Sequence, residues 1–294
     1  MTSYDHFIRL LVLIGFLIGG LLLTTLVSGL LMLASGMSLA DIMEMAQSGM
    51  GALSPGLTRG LLATQHLLIF ILPGLLFGLV FYQGKFLNGL NLDVHPGWQL
   101  SILGIFFLMA AYPLVNLSFL VNESIPLPAW ADKFESQAED TLKAILTMNT
   151  PVIFIFNLII IAILPGIGEE LIFRGILQKH IGLLFKSPVA AIWIAAFIFS
   201  AIHLQFEGFL PRMALGAVLG YLYYWTGNLW VPIIAHAFNN GIQVALIYVT
   251  GMDISNFDEE SSDQLQWWMI PLSITIMYLI YRSILKNRNV LEQT

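Results

Sequence analysis

Few side chains in this 294-residue sequence combine a titratable or strongly polar group with a wholly apolar setting, and they gather in three short stretches. GIGEELIFRGILQKH, residues 166 to 180, sets Glu169 beside Glu170 and puts Arg174 four positions after the second acid. FSAIH ends at His203, and HAFNN carries His236 and Asn240, again four apart. Positions four apart share a helix face, so Glu170 and Arg174 can form an ion pair. Glu169 points about 100° away around the helix and has no obvious partner. The converging set is a carboxylate, two imidazoles and a carboxamide, which suits hydrolysis. A glutamate out of bulk water can take a proton from water near neutral pH. A neutral imidazole or an amide N–H can donate to a developing oxyanion, and two imidazoles with a carboxylate could alternatively hold a divalent metal such as zinc.

The elements that must position these groups are written in the composition. The chain is 57% hydrophobic and 10% charged, with a mean hydropathy of +0.82, where a soluble domain carries about 25% charged residues. An all-α membrane bundle is expected. Apolar stretches lie near 7–34, 57–82, 97–121, 151–185, 188–204, 209–225, 229–250 and 265–286. At about 20 apolar residues per crossing, these make about eight spans. The fourth is far longer than one crossing needs and holds Pro165, so a kinked, broken or tilted helix is expected there. If spans four and five turn at Lys186 to Pro188, Glu169 and His203 lie 17 residues on either side of position 186, at one depth of a hairpin. His236, past a turn near Gly227 and Asn228, reaches that depth only on a tilted helix.

Loop charges orient the bundle, because cytoplasmic loops collect Lys and Arg. One alternate set holds Arg9, Lys85, Lys179, Lys186, Arg282, Lys286 and Arg288 against Asp5, Asp93 and Glu292. The other holds Asp41, Glu44, Glu123, Asp132, Glu135, Glu139, Asp140, Asp253, Asp258, Glu259, Glu260 and Asp263. Both termini are expected in the cytoplasm, with the protein integral to the cell membrane. The N-terminus lacks the basic region and cleavage site of a signal peptide, so the first apolar segment reads as a retained span. Residues 129–147 read as a surface amphipathic helix on the opposite side. No repeat or second domain is evident, and residues 1–294 read as a single membrane domain.

With EELIFR as E-E-x-x-x-R, FSAIH as F-x-x-x-H and HAFNN as H-x-x-x-N, in this order on successive apolar segments, the sequence resembles the CPBP (ABI) family of intramembrane proteases. That family includes the CAAX prenyl endopeptidases and bacteriocin-processing or immunity proteins. The resemblance covers residues 150–250, which would be the catalytic core. It implies Glu169 as the base that activates water, and Glu170 held by Arg174. It implies His203 positioning that water or ligating a metal, and His236 and Asn240 stabilising the oxyanion. A metal, if used, would take His203, His236 and Glu169. The implied partners are a membrane-associated peptide or protein substrate and the lipid bilayer, with no nucleic acid. Nothing in the chain marks a prenyl-binding groove.

Other chemistries are excluded or kept by the same residues. There is no cysteine, hence no disulfide, thiolate nucleophile or cysteine-ligated zinc. H-E-x-x-H and G-x-S-x-G are absent, and no aspartate accompanies GIGEE. A proton- or ion-coupled transporter also buries Glu, His and Arg, although it would favour paired broken helices. A non-catalytic scaffold or immunity protein could retain the motifs. Structural readings stand beside the chemical ones: Glu170–Arg174 as an ion pair alone, His203 as a capping histidine, Asn240 as helix glue, and Arg212 snorkelling to the interface. Gly208, Gly216 and Gly220 read as packing positions, and Trp193, Trp225, Trp230, Trp267 and Trp268 as an interfacial belt.

Overall fold

The computed structural model describes residues 2–50, 53–251 and 265–291, and the acids Asp253, Asp258, Glu259, Glu260, Asp263 and Glu292 fall outside them. The described residues form helices and connecting turns, with no strand among them. In chain order the helices longer than a single turn are α1 (Ser3–Ala34), α2 (Leu39–Ser48), α3 (Pro55–Tyr82), α4 (Gly97–Glu123), α5 (Ala129–Leu146), α6 (Pro151–Phe185), α7 (Pro188–Ala201), α8 (Phe209–Thr226), α9 (Trp230–Thr250) and α10 (Met269–Leu291). The protein is an integral membrane protein. Six of these helices are long and apolar enough to cross a membrane: α1, α3, α4, α6, α9 and α10. The other two expected spans are α7, apolar but only 14 residues, and α8. Large apolar side chains such as Leu22, Leu26, Leu79, Phe106 and Leu279 face outward, as lipid contact requires.

Local chemistry sets the helix ends. Thr2 caps α1 in a reciprocal box with Asp5, and Ser38 does the same for α2 with Asp41. Thr150 accepts the Ile153 N–H before Pro151 opens α6. Lys186, in the left-handed region at φ 53°, ends α6, and Ser187 with Pro188 starts α7 at once, which makes the expected hairpin. Gly227, at φ 62°, turns α8 into α9 in the same way.

The long sixth helix runs without interruption. The kink expected at Pro165 is met by a π-helical segment, Leu158–Ile163, directly before the proline. Helix α3 repeats the device, with a π segment at Leu67–Ile71 ahead of Pro73. A proline lacks the N–H that an α-helix needs and crowds the carbonyl four residues back, and a widened turn relieves both. A third π segment, Leu171–Gln178, follows the two acids.

Helix α6 is the axis of the main packed cluster, in which its Leu171, Ile172, Phe173 and Ile176 meet Leu13 of α1, Phe70 and Phe77 of α3, Phe199 of α7, Tyr223 of α8 and Ile233 of α9. Gly216 and Gly220 of α8 let α7 approach, as expected, and an added Cβ at Gly216 would meet the Ala196 Cα at 3.3 Å. Trp225, one residue before the end of α8, packs edge-on to Phe107 and against Tyr281. The amphipathic segment is confirmed as a helix, but α5 is tied into the protein: Ala131, Thr141, Ile145 and Leu146 are buried.

Candidate active site

Glu169, Glu170 and Arg174 lie at the middle of α6, with relative exposures of 5%, 0% and 1%. Two glycines just before them set what can come near. An added Cβ on Gly166 would stand 2.9 Å from the Ala237 Cβ, so α9 can approach only because that Cβ is missing. An added Cβ on Gly168 would stand 2.9 Å from the Phe70 Cβ, and α3 is admitted on another side of the helix. Each approach delivers one histidine, His236 from α9 and His66 from α3.

The expected ion pair is present. Arg174 Nη1 donates to Glu170 Oε1 at 2.8 Å, its Nη2 donates to the Gly216 carbonyl at 2.9 Å, and its guanidinium lies 4.8 Å above the Phe199 ring. The same Glu170 oxygen is 2.8 Å from His236 Nδ1. Since the carboxylate of this ion pair accepts, His236 Nδ1 carries the proton, and in the neutral ring Nε2 holds a lone pair. That Nε2 stands 4.0 Å from Glu169 Oε2. The other oxygen of Glu169, Oε1, stands 4.0 Å from His66 Nε2. Glu169 therefore has an imidazole before each oxygen and no close hydrogen bond to either.

His203 lies just beyond α7, which ends at Ala201, and so sits on a turn rather than within the fifth span; Leu204 beside it has φ 55°. Its Nδ1 donates to the Phe199 carbonyl at 2.8 Å. The Phe199 ring stands edge-on to both His203 and His236, at 5.1 and 6.1 Å between centroids. Asn240 shares a face with His236 but serves another group: its Nδ2 donates to the Ile161 carbonyl at 3.0 Å. Ile161 is four residues before Pro165, so Asn240 supplies the donor that the proline lacks. Arg212 does not snorkel outward. It is half-buried, holds Gln205 through Nη1 to the backbone oxygen at 3.1 Å and Nη2 to Oε1 at 2.9 Å, and lies within electrostatic reach of Glu169 and Glu135.

The turn that carries His203 is anchored from outside. Glu135 of α5 accepts the backbone N–H groups of Phe206 and, at 3.0 Å, Glu207. Asn122 of α4 holds the Phe206 carbonyl and the Leu210 N–H, each at 2.8 Å, and Trp130 packs edge-on against Phe206. Two residues next to the acids or their turn, His66 and Glu135, were not picked out from the sequence. The signal for His66 is a lone imidazole in the apolar stretch 57–82.

Residues 151–242 match the family model described as type II CAAX prenyl endopeptidase, Rce1-like. They form an Rce1-like domain. The match contains the whole set Glu169, Glu170, Arg174, His203, His236 and Asn240, and leaves out α1 to α5, with His66 and Glu135, and α10. Two proteins of Bacillus subtilis (strain 168) are similar over part of their length. "Uncharacterized protein YpbD" is 39% identical over 84 residues, covering 27% of this chain and 40% of that protein. "Putative membrane peptidase YdiL" is 32% identical over 113 residues, covering 37% and 43%. The chain thus spans less than half the length of these relatives. No solved structure matches.

Among the described residues no three His, Asp or Glu side chains are gathered to hold a metal ion. Ligands about 2.1 Å from a tetrahedral zinc lie about 3.4 Å from one another, whereas Glu169 Oε2 and His236 Nε2 are 4.0 Å apart. His236 Nδ1 is engaged by Glu170 and His203 Nδ1 by a backbone carbonyl, which leaves Nε2 of each ring as the nitrogen open to a ligand. As arranged, Glu169, His203 and His236 are not gathered around one metal position.

Proposed function

We propose that this protein is an intramembrane endopeptidase that hydrolyses a peptide bond of a membrane-associated substrate with water activated by Glu169. The observation that carries the reading is the facing of two acceptors, Glu169 Oε2 and His236 Nε2, at 4.0 Å. One water at about 2.8 Å from each bridges that separation with two ordinary hydrogen bonds. In the reaction Glu169 takes one proton as the water oxygen bonds to the scissile carbonyl carbon. His236 accepts a hydrogen bond from the other proton, which fixes a lone pair toward the substrate. Collapse of the tetrahedral intermediate breaks the C–N bond, and Glu169 returns its proton to the leaving amine.

Glu170 and Arg174 are positioning residues here, since they hold the His236 tautomer and orientation as the third group of a triad does. His203 packs against the Phe199 ring, at the loop, and orients substrate or water from there. Asn240 reaches an oxyanion only by releasing the Ile161 carbonyl, so its service in the resting protein is to the helix. The substrate class is a peptide carried at the membrane, prenylated or bacteriocin-like, and the residence is the cell membrane with both termini cytoplasmic. The Rce1-like match and the basic bias of alternate loops support these assignments.

The test is comparative peptidomics of membranes from cells lacking the protein, complemented with wild type or with Glu169→Gln. New peptide termini with wild type alone are expected. Identical peptidomes at equal abundance of both proteins would count against proteolysis and favour transport or scaffolding.

A further inference from the structure

His66 stands outside the Rce1-like domain, yet its Nε2 is as close to Glu169 as that of His236, 4.0 Å in each case. Its pose is built rather than incidental. The side chain is only 17% exposed, its ring is edge-on to Phe70 at 5.8 Å, and Phe70 is seated against Gly168, where an added Cβ would collide. The π segment begins at the next residue, Leu67, and presents Phe70 and Ile71 to that glycine.

The proton position on this ring follows from what surrounds it. His66 Nδ1 is buried and has no hydrogen-bond partner among the described residues. A neutral imidazole with its proton on Nδ1 would bury an unmade donor and turn a lone pair toward a carboxylate. The proton on Nε2 faces Glu169 Oε1 and leaves only an acceptor unpaired, the less costly omission. The two imidazoles beside Glu169 then have opposite polarity, since His236 Nε2 accepts and His66 Nε2 donates.

We propose that His66 is a positioning residue of this centre, whose Nε2–H holds Oε1 of Glu169 through one bridging water so that Oε2, the oxygen facing His236, is the one that takes the proton. The inference rests on Glu169 as the base. It makes the working centre larger than the Rce1-like domain, because α3 contributes to it.

The test adds His66→Leu and His66→Gln to the peptidomic comparison of wild type with Glu169→Gln, reading the rate at which wild-type-dependent termini appear and each protein's melting temperature in detergent. Leu keeps the bulk and removes the donor; Gln restores a donor near the Nε2 position. The expected result is a rate roughly tenfold or more lower with Leu and largely recovered with Gln, at unchanged melting temperature. A Leu variant as fast as wild type, while Glu169→Gln is dead, would overturn the role of His66 and leave the base intact. Loss in both variants with a lowered melting temperature would make His66 a packing residue and also overturn it. Absence of any wild-type-dependent termini would remove the base and His66 together.

Discussion

Helix α6 carries two buried polar clusters 12 residues apart, and they are built differently. At Asn157 both side-chain atoms are engaged: Arg59 Nε donates to Asn157 Oδ1 at 2.8 Å, Arg59 Nη2 to the carbonyls of Ile145 and Thr147 at 2.6 and 3.1 Å, and Asn157 Nδ2 to Ile145 at 2.6 Å. At Glu169 the imidazole nitrogens that face its two oxygens each stand 4.0 Å away. Burial of polar groups is common to both, so burial does not mark the site. A closed network ties α3, α5 and α6 together, whereas an open one leaves room for a reactant. The neighbouring acid sharpens the contrast, since Glu170 accepts from both Arg174 and His236 at 2.8 Å.

That contrast can be broken at four points. Glu169→Gln should lower the rate of substrate hydrolysis by about 10²- to 10⁴-fold, the usual contribution of a general base, with little change in melting temperature. Arg174→Leu leaves the Glu170 carboxylate buried with one donor fewer. It should cost about 3–5 kcal/mol of stability, seen as a fall in melting temperature and in membrane abundance. Arg59→Leu opens the closed cluster. A loss of about 1–3 kcal/mol from unpaired buried acceptors is expected, while the hydrolysis rate per folded molecule stays that of wild type. Equal losses of rate in Arg59→Leu and Glu169→Gln would erase the distinction between the clusters. Glu135→Gln is the mildest, since a neutral amide oxygen still accepts from Phe206 and Glu207. Its effect should be about 1 kcal/mol or less, confined to faster amide exchange at residues 202–208.

What was legible in the sequence follows the reach of each signal. Apolar runs gave the helices, because the demand for about 20 apolar residues is local. The Glu170–Arg174 pair was legible because spacing of four is a property of one helix. Where the partner is remote, spacing misleads. Asn240 reads as a companion of His236, yet its bond is to Ile161, and only the combination of Pro165 with a neighbouring helix explains it. Equal counting from the turn set His203 on a span, while α7 stops at Ala201 and the π segments of α6 break the even rise that such counting assumes. His66 carries no periodic signal, and its neighbour Glu169 is 103 positions away. Arg212 looked interfacial because Pro211 and Glu207 flank it, but its fold partner is Gln205.

The shortness of α7 has a consequence for the bilayer. Fourteen residues of α-helix rise about 21 Å, against about 30 Å of hydrocarbon. Lipid beside this helix must thin, or polar surroundings must descend to meet the turn at residues 202–208, where Glu135, Asn122 and Arg212 satisfy the backbone. Hydrophobic mismatch of this kind costs fractions of a kcal/mol per Å. The protein side of that mismatch is already met, because the polar backbone of the turn that carries His203 is bonded to α4, α5 and Arg212 rather than left facing hydrocarbon.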